Sequence, residues 1–151
     1  ANNVAVTVIT RLSRLGIIKS SKVQSLGEKY IRELNIKTPS ARSPIETLSG
    51  GNQQRVVIAK WIAYGPKILI LNGPTVGIDV ASKAEIHRLI RRLASENKLG
   101  IILISDDIPE VLSVCDRVLL MKKGRVVAEY EHGEISEEAL YLKMIEEVSG
   151  V

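Results

Sequence analysis

The chain has 151 residues, of which 45% are hydrophobic and 25% are charged, and its formal net charge at pH 7 is +4. This composition supports one folded domain or a large part of one, and it excludes a wholly disordered chain. The single cysteine excludes an internal disulfide, and no apolar run reaches the roughly 18–20 residues that a membrane-spanning helix needs.

The first part of the chain predicts two helices and then a loop. Apolar residues at helical spacing favour a helix over residues 3–15, with Gly16 following it, although its β-branched residues argue the other way. A second helix is predicted to begin with Ser20 or Ser21 as its N-cap and to end near Leu34. Residues 38–44 are polar and contain two prolines, which is typical of a loop.

The segment 48–55 reads Leu-Ser-Gly-Gly-Asn-Gln-Gln-Arg and begins a third predicted helix. Ser49 is a favourable N-cap, and Gly50 and Gly51 place no Cβ over the first free backbone N–H groups. A helix start of this kind can approach a phosphate closely and stabilise its charge. An isolated Ser-Gly-Gly sequence is more often a flexible turn before a helix, so this segment needs support from its surroundings.

The second half of the chain alternates strands and helices. Residues 67–72 form a nearly continuous apolar run between two Gly-Pro pairs, which predicts a strand buried on both faces of a parallel sheet. A helix over 81–97 and a second strand over 100–105 complete a βαβ unit, so the predicted fold class is α/β. The remaining predicted elements are a short helix, a hairpin and a C-terminal helix: 109–114, 117–121 with 126–129, and Ser136 onward.

The segment 48–55 resembles the signature motif of ABC-transporter ATPase domains, in the Asn-Gln-Gln form typical of sugar importers. Residues 35–40 further resemble the loop before that motif in ribose- and galactose-type importers. The resemblance extends from about Asn3 to Glu138. It implies a partial P-loop ATPase fold, with a helical subdomain at 1–63 and the C-terminal αβ part of the core at 64–151.

In this family ATP binds between two domains, with the signature helix of one facing the Walker A loop of the other. The resemblance therefore implies that this chain contacts ATP and Mg²⁺ held by a partner domain. Gly77-Ile78-Asp79 resembles the D-loop, whose aspartate reaches across the ATPase dimer, and the alternative is a plain turn that caps the next helix. The residues implied to lie against the nucleotide are Ser49, Gly50, Gly51, Asn52, Gln53 and Asp79.

The strand 67–72 resembles the Walker B motif but departs from the family pattern at its end. Asn72 stands in place of the aspartate that holds Mg²⁺ through water, and Gly73 in place of the glutamate that orients the attacking water. Neither can act as a general base. After the next strand the family has Ser-His, but this chain has Ser105 and Asp106, and a carboxylate there repels a γ-phosphate.

No intact catalytic residue is therefore predicted. Because three positions have changed, natural degeneracy of one site in an asymmetric pair is favoured over deliberate disabling substitutions. The Walker A loop also has no counterpart, since the chain contains no Gly-Lys dipeptide. The chain begins at Ala1 instead of methionine, so we expect a piece of a longer polypeptide whose missing elements precede it.

The sequence leaves three functions open. The first is a fragment of the second ATPase domain of a sugar importer, placed on the cytoplasmic side of the membrane against permease subunits. The second is a non-catalytic module that only docks a permease. The third, a nucleic-acid binder, is disfavoured because aromatic residues are few and no base-reading motif is present.

Two further expectations concern histidines and assembly. His87 and His132 are predicted to be surface residues without a switching role. The sheet edge and apolar surface left by missing neighbours predict that the fragment self-associates.

Overall fold

A computed structural model describes residues 1–14 and 17–146. It mixes helices with three two-stranded sheets among these residues, which confirms the α/β class. The described chain divides into two compact units, one formed by 1–69 with 74–102 and the other by Ile70–Gly73 with the residues from Leu103 onward. The predicted division at 63 follows the subdomains of the family and stays a prediction.

The N-terminal segment is helical in three short pieces, so the prediction of one continuous helix over 3–15 was wrong. Val6, Thr7 and Val8 are β-branched, which lowers their propensity for a continuous α-helix, and they form a 3-10 turn. Leu15 and Gly16 lie outside the described residues. The elements are Asn2–Ala5 (α1), the 3-10 turn Val6–Val8, Ile9–Leu12 (α2), and the antiparallel strands Ser13–Arg14 (β1) and Ile17–Ile18 (β2).

Three longer helices belong to the first unit. The second predicted helix is confirmed, but Lys19 occupies its N-cap position in place of Ser20 or Ser21. Ser49 is the N-cap of the third, as predicted, and Asp79 caps the fourth. These helices are Ser20–Glu33 (α3), Gly50–Ile62 (α4) and Val80–Asn97 (α5), with a 3-10 turn at Ile45–Thr47.

The core of the first unit lies where these helices meet. Its members are apolar side chains that repeat at helical spacing, as the sequence pattern of each helix requires. They include Val4, Tyr30, Leu34, Ile58, Ala59, Ile86, Leu89, Ile90 and Leu93.

The predicted βαβ strands are present as Ile68–Asn72 (β3) and Gly100–Ile104 (β4), which pair with each other. The backbone N–H of Gly100 donates to the Lys67 carbonyl at 3.0 Å, and that of Gly73 donates to the Ile104 carbonyl at 2.8 Å. The two strands therefore run in parallel.

The prediction that the first of these strands is buried on both faces was wrong. Leu69 and Leu71 are buried, but Ile68 and Ile70 are each 62% exposed. Successive side chains of a strand point to opposite faces, and the described residues cover only one face of β3.

The second unit contains the predicted short helix, hairpin and C-terminal helix. Ile108, Val118 and Leu140, one from each of these elements, form its core. The elements are Ile108–Val114 (α6), the antiparallel strands Arg117–Lys122 (β5) and Arg125–Glu131 (β6), and Glu137–Glu146 (α7). Among the described helices, none combines the length and apolar character needed to cross a bilayer.

Candidate functional site

The start of α4 is built around the backbone of Ser49. Its extended conformation turns the chain into the helix, and its carbonyl accepts the N–H groups of Asn52 and Gln53, each at 2.9 Å. The N–H groups of Gly50 and Gly51 come before any intrahelical acceptor can reach them. Ser49 and Gly50 are exposed, so this helix end can receive an anion.

The two glycines of the motif have different surroundings. Gly50 is exposed, and a Cβ built on it would lie 3.9 Å from the Gly77 carbonyl. Gly51 is buried, and a Cβ there would lie 2.6 Å from the Cβ of Ser82. Gly51 is therefore enclosed on its Cα side, and contact of its backbone N–H with a nucleotide stays a prediction. Its missing side chain lets α4 approach the first turn of α5.

The amide side chains that follow are engaged by the preceding loop. Asn52 Oδ1 accepts the backbone N–H of Lys37 at 2.7 Å, and Asn52 Nδ2 donates to Ser49 Oγ at 2.8 Å. Gln53 Nε2 donates to the Leu48 carbonyl at 2.8 Å. Direct contact of these two amides with a nucleotide stays a prediction.

The turn that carries Asp79 lies next to this helix start. Gly77 adopts a φ of +73°, which glycine tolerates best, and its carbonyl is the nearest neighbour of a Cβ placed on Gly50. Asp79 Oδ1 accepts the Ser82 N–H at 2.9 Å, and hydrogen bonds from the backbone and side chain of Ser82 lower the pKa of this carboxyl. The fold thus places the predicted D-loop beside the signature motif. The capping role raised as an alternative is present, and contact with a partner domain stays a prediction.

Arg55 is the residue that sequence reasoning missed. Its guanidinium is buried and donates to the carbonyls of Leu34 at 2.9 Å and Asn35 at 2.7 Å. It also forms an ion pair with Glu85 on α5. Arg55 follows Gly51 by one helical turn on the buried face, and this spacing was the available signal.

The ends of β3 and β4 lie side by side in the second unit. The Gly73 N–H bonded to the Ile104 carbonyl brings the residues after each strand to one edge. Asn72 and Asp106 are both exposed there. The structure therefore brings the three positions predicted to be degenerate, Asn72, Gly73 and Asp106, to the same edge.

Ser105 faces inward at this edge. Its hydroxyl donates to Glu110 Oε2 at 2.6 Å and accepts the Asp107 N–H at 3.1 Å. The Glu110 side chain is almost completely buried. This network holds the start of α6 and leaves Asp106 on the surface.

The two histidines differ in their exposure. His87 is half buried on α5, more enclosed than the sequence predicted. His132 is exposed, and its Nδ1 lies 3.2 Å from the Cys115 carbonyl.

Known proteins resemble this chain in both sequence and fold. The ABC transporter family model matches residues 4–76. Ribose import ATP-binding proteins of Rhizobium johnstonii and Rubrobacter xylanophilus are each 44% identical to this chain, over 91% and 89% of its length respectively. The chain matches part of an ABC-transporter ATPase domain. It spans 27–28% of the length of the first curated relatives it matches.

Solved structures of this family have the same fold. One is a dimeric ATP-binding cassette in a post-hydrolysis state bound to ADP and Pi, with a TM-score of 0.71 and 24% identity over 89% of this chain and 56% of that one. Another is cbiO1 from Clostridium perfringens, part of the ABC transporter complex cbiONQ, with a TM-score of 0.73 and 27% identity over 95% of this chain and 57% of that one. The predicted partial ABC ATPase fold is confirmed.

The end of β3 lacks the carboxylates that hold Mg²⁺ and orient water in the pattern of this ATPase family. Mg²⁺ prefers anionic oxygen ligands, and Asn72 and Gly73 supply no carboxylate. Within the described residues, no cluster of three or more Asp, Glu, His or Cys side chains could hold a metal ion.

Proposed function

We propose that this chain is part of the ATP-binding subunit of a sugar-type ABC importer and supplies the signature motif to ATP and Mg²⁺ held by a partner domain. The observation that carries the proposal is the exposed start of α4 at Ser49 and Gly50, next to the Asp79 turn. The similarity to ribose import ATP-binding proteins supports the substrate class.

In this proposal the residues of this chain bind and orient the terminal phosphate of ATP. They do not accept a proton from the attacking water. The Ser49 hydroxyl and the Gly50 N–H are donors at a positive helix end, suited to charge on a terminal phosphate. Asn72 and Gly73 cannot activate water, so hydrolysis by this chain alone is not expected.

The proposed partners of this chain are a second ATPase domain and the permease subunits of an importer, at the cytoplasmic face of the membrane. The exposed apolar surface around Asp79 supports the proposal that another protein binds there. Val76 and Val80, on either side of the turn, are 78% and 85% exposed. Large apolar side chains in this position are suited to burial by a partner.

The decisive experiment is Ser49→Arg in the full-length importer. The bulky cation fills the helix start, so we expect ATP turnover and sugar uptake to fall on the order of 100-fold, as when a single preorganised donor is lost. Ser20→Arg is the matched control, because Ser20 is also an exposed serine at a helix start in the same unit. Normal turnover in Ser49→Arg would instead favour a module that only docks the permease.

A further inference from the structure

The side chain of Asn52 is held at both ends, and this fixes its orientation. The backbone N–H of Lys37 lies 2.7 Å from Asn52 Oδ1. A backbone N–H can only donate, so the atom that it meets has to be the amide oxygen. The NH₂ group of Asn52 therefore faces Ser49 Oγ, at 2.8 Å.

This orientation decides what the Ser49 hydroxyl can do. An NH₂ group only donates, so Ser49 Oγ accepts from Asn52 and its own proton points elsewhere. Among the described residues that hydroxyl makes no capping bond to the backbone of α4, and Ser49 is exposed. We propose that Asn52 is a positioning residue that keeps the Ser49 proton free to be donated to a phosphate oxygen.

The donor that orients Asn52 is itself fixed by buried contacts. Leu34 and Ile36 are buried, and Arg55 binds the carbonyls of Leu34 and Asn35. Arg55 lies one helical turn after Asn52 on α4. The Lys37 N–H therefore comes from a segment that α4 holds at two points, so the hydroxyl orientation is preorganised before ligand binds.

The inference rests on the proposed role of Ser49, and Asn52→Asp tests it. Aspartate has nearly the same shape and still accepts the Lys37 N–H, but both of its oxygens are acceptors. Ser49 would then donate its proton to the carboxylate and lose it as a donor to phosphate. In the full-length importer we expect the kcat of ATP hydrolysis to fall at least tenfold while the fold is kept.

A charge effect has to be separated from hydroxyl orientation, because the introduced carboxylate would also add a negative charge near the phosphate. The comparison uses Ser49→Ala with and without Asn52→Asp. If Asn52 acts through the hydroxyl, the second substitution causes no further loss once the hydroxyl is gone. An equal loss in both backgrounds would overturn the inference.

Hydrogen exchange in the full-length subunit gives a readout that does not depend on ATP. The Lys37 amide should stay protected in Asn52→Asp and exchange at least tenfold faster in Asn52→Ala. Unchanged protection in Asn52→Ala would contradict the arrangement. If Ser49→Arg is inactive and Asn52→Asp is fully active, this inference alone is overturned. If Ser49→Arg is active, the proposed function is overturned, while the measured protection of the Lys37 amide remains valid.

Discussion

At the scale of single residues, Gly50 and Gly51 offer a matched pair of substitutions. Gly51→Ala drives a Cβ to 2.6 Å from Ser82 Cβ, so we expect a loss of about 1–3 kcal/mol in the free energy of unfolding from overpacking. Gly50→Ala meets nothing closer than 3.9 Å and should leave stability within about 0.5 kcal/mol. Urea unfolding of the chain measures the free energy of unfolding of both variants. Ser82→Gly in the Gly51→Ala background should recover part of the loss, and equal midpoints for the two alanine variants would contradict the packing role.

The edge with Asn72, Gly73 and Asp106 leads to a second prediction at this scale. Restoring Asn72→Asp and Gly73→Glu together in the full-length importer should change sugar uptake little, because Asp106 still stands where the family has histidine. Gly73 also has a φ of +54°, where a glutamate backbone is disfavoured by roughly 1–2 kcal/mol.

Steady-state ATPase and uptake assays measure the outcome of this double reversion. Asn72→Asp alone serves as the control, since it adds the carboxylate without backbone strain. A second site as active as the first in the double reversion would show that the histidine position is dispensable.

At the scale of elements, α4 is tied to its neighbours by one buried cation. Arg55→Met leaves the Leu34 and Asn35 carbonyls without their donor and separates the Glu85 carboxylate from its partner. We expect the free energy of unfolding to fall by about 2–4 kcal/mol, since each buried unsatisfied group costs about 1–3 kcal/mol.

The control for Arg55 is Lys29→Met in the same unit. Lys29 and Glu33 form an ion pair at 3.7 Å whose side chains are each about half exposed. Such pairs contribute about 0–1 kcal/mol, so the control should change stability little. Similar losses in the two variants, measured by denaturant unfolding, would argue against a special role for Arg55.

At the scale of the whole molecule, the uncovered strand faces predict self-association of the isolated chain. In the second unit Ile70 and Ile104 are 62% and 50% exposed, and apolar surface of this kind favours contact with another copy. Light scattering should show a dimer or larger species. Ile70→Lys with Ile104→Lys should shift the chain toward monomer, whereas Val127→Lys on the separate hairpin should not, and a wild-type monomer at high concentration would contradict the prediction.

Local signals were enough to predict most elements and the position of the motif. The helix start at Ser49, the β3–α5–β4 order and the hairpin follow from caps, turn residues and apolar spacing, which act over a few residues. The N-terminal helix failed because apolar spacing and β-branched residues gave opposite signals there. The absence of a carboxylate at Asn72 and Gly73 is also a property of the chain itself, whereas the degenerate role inferred from it stays a prediction.

The remaining properties depend on residues far apart in the chain, and only the tertiary structure decided them. Gly51 is buried because Ser82 packs on it, and Asn52 is oriented because the Lys37 amide lies opposite. Arg55 is satisfied by carbonyls about 20 residues earlier and by a carboxylate 30 residues later. Apolar spacing indicates which faces of β3 can be buried. Which face is buried depends on the neighbours that pack against the strand.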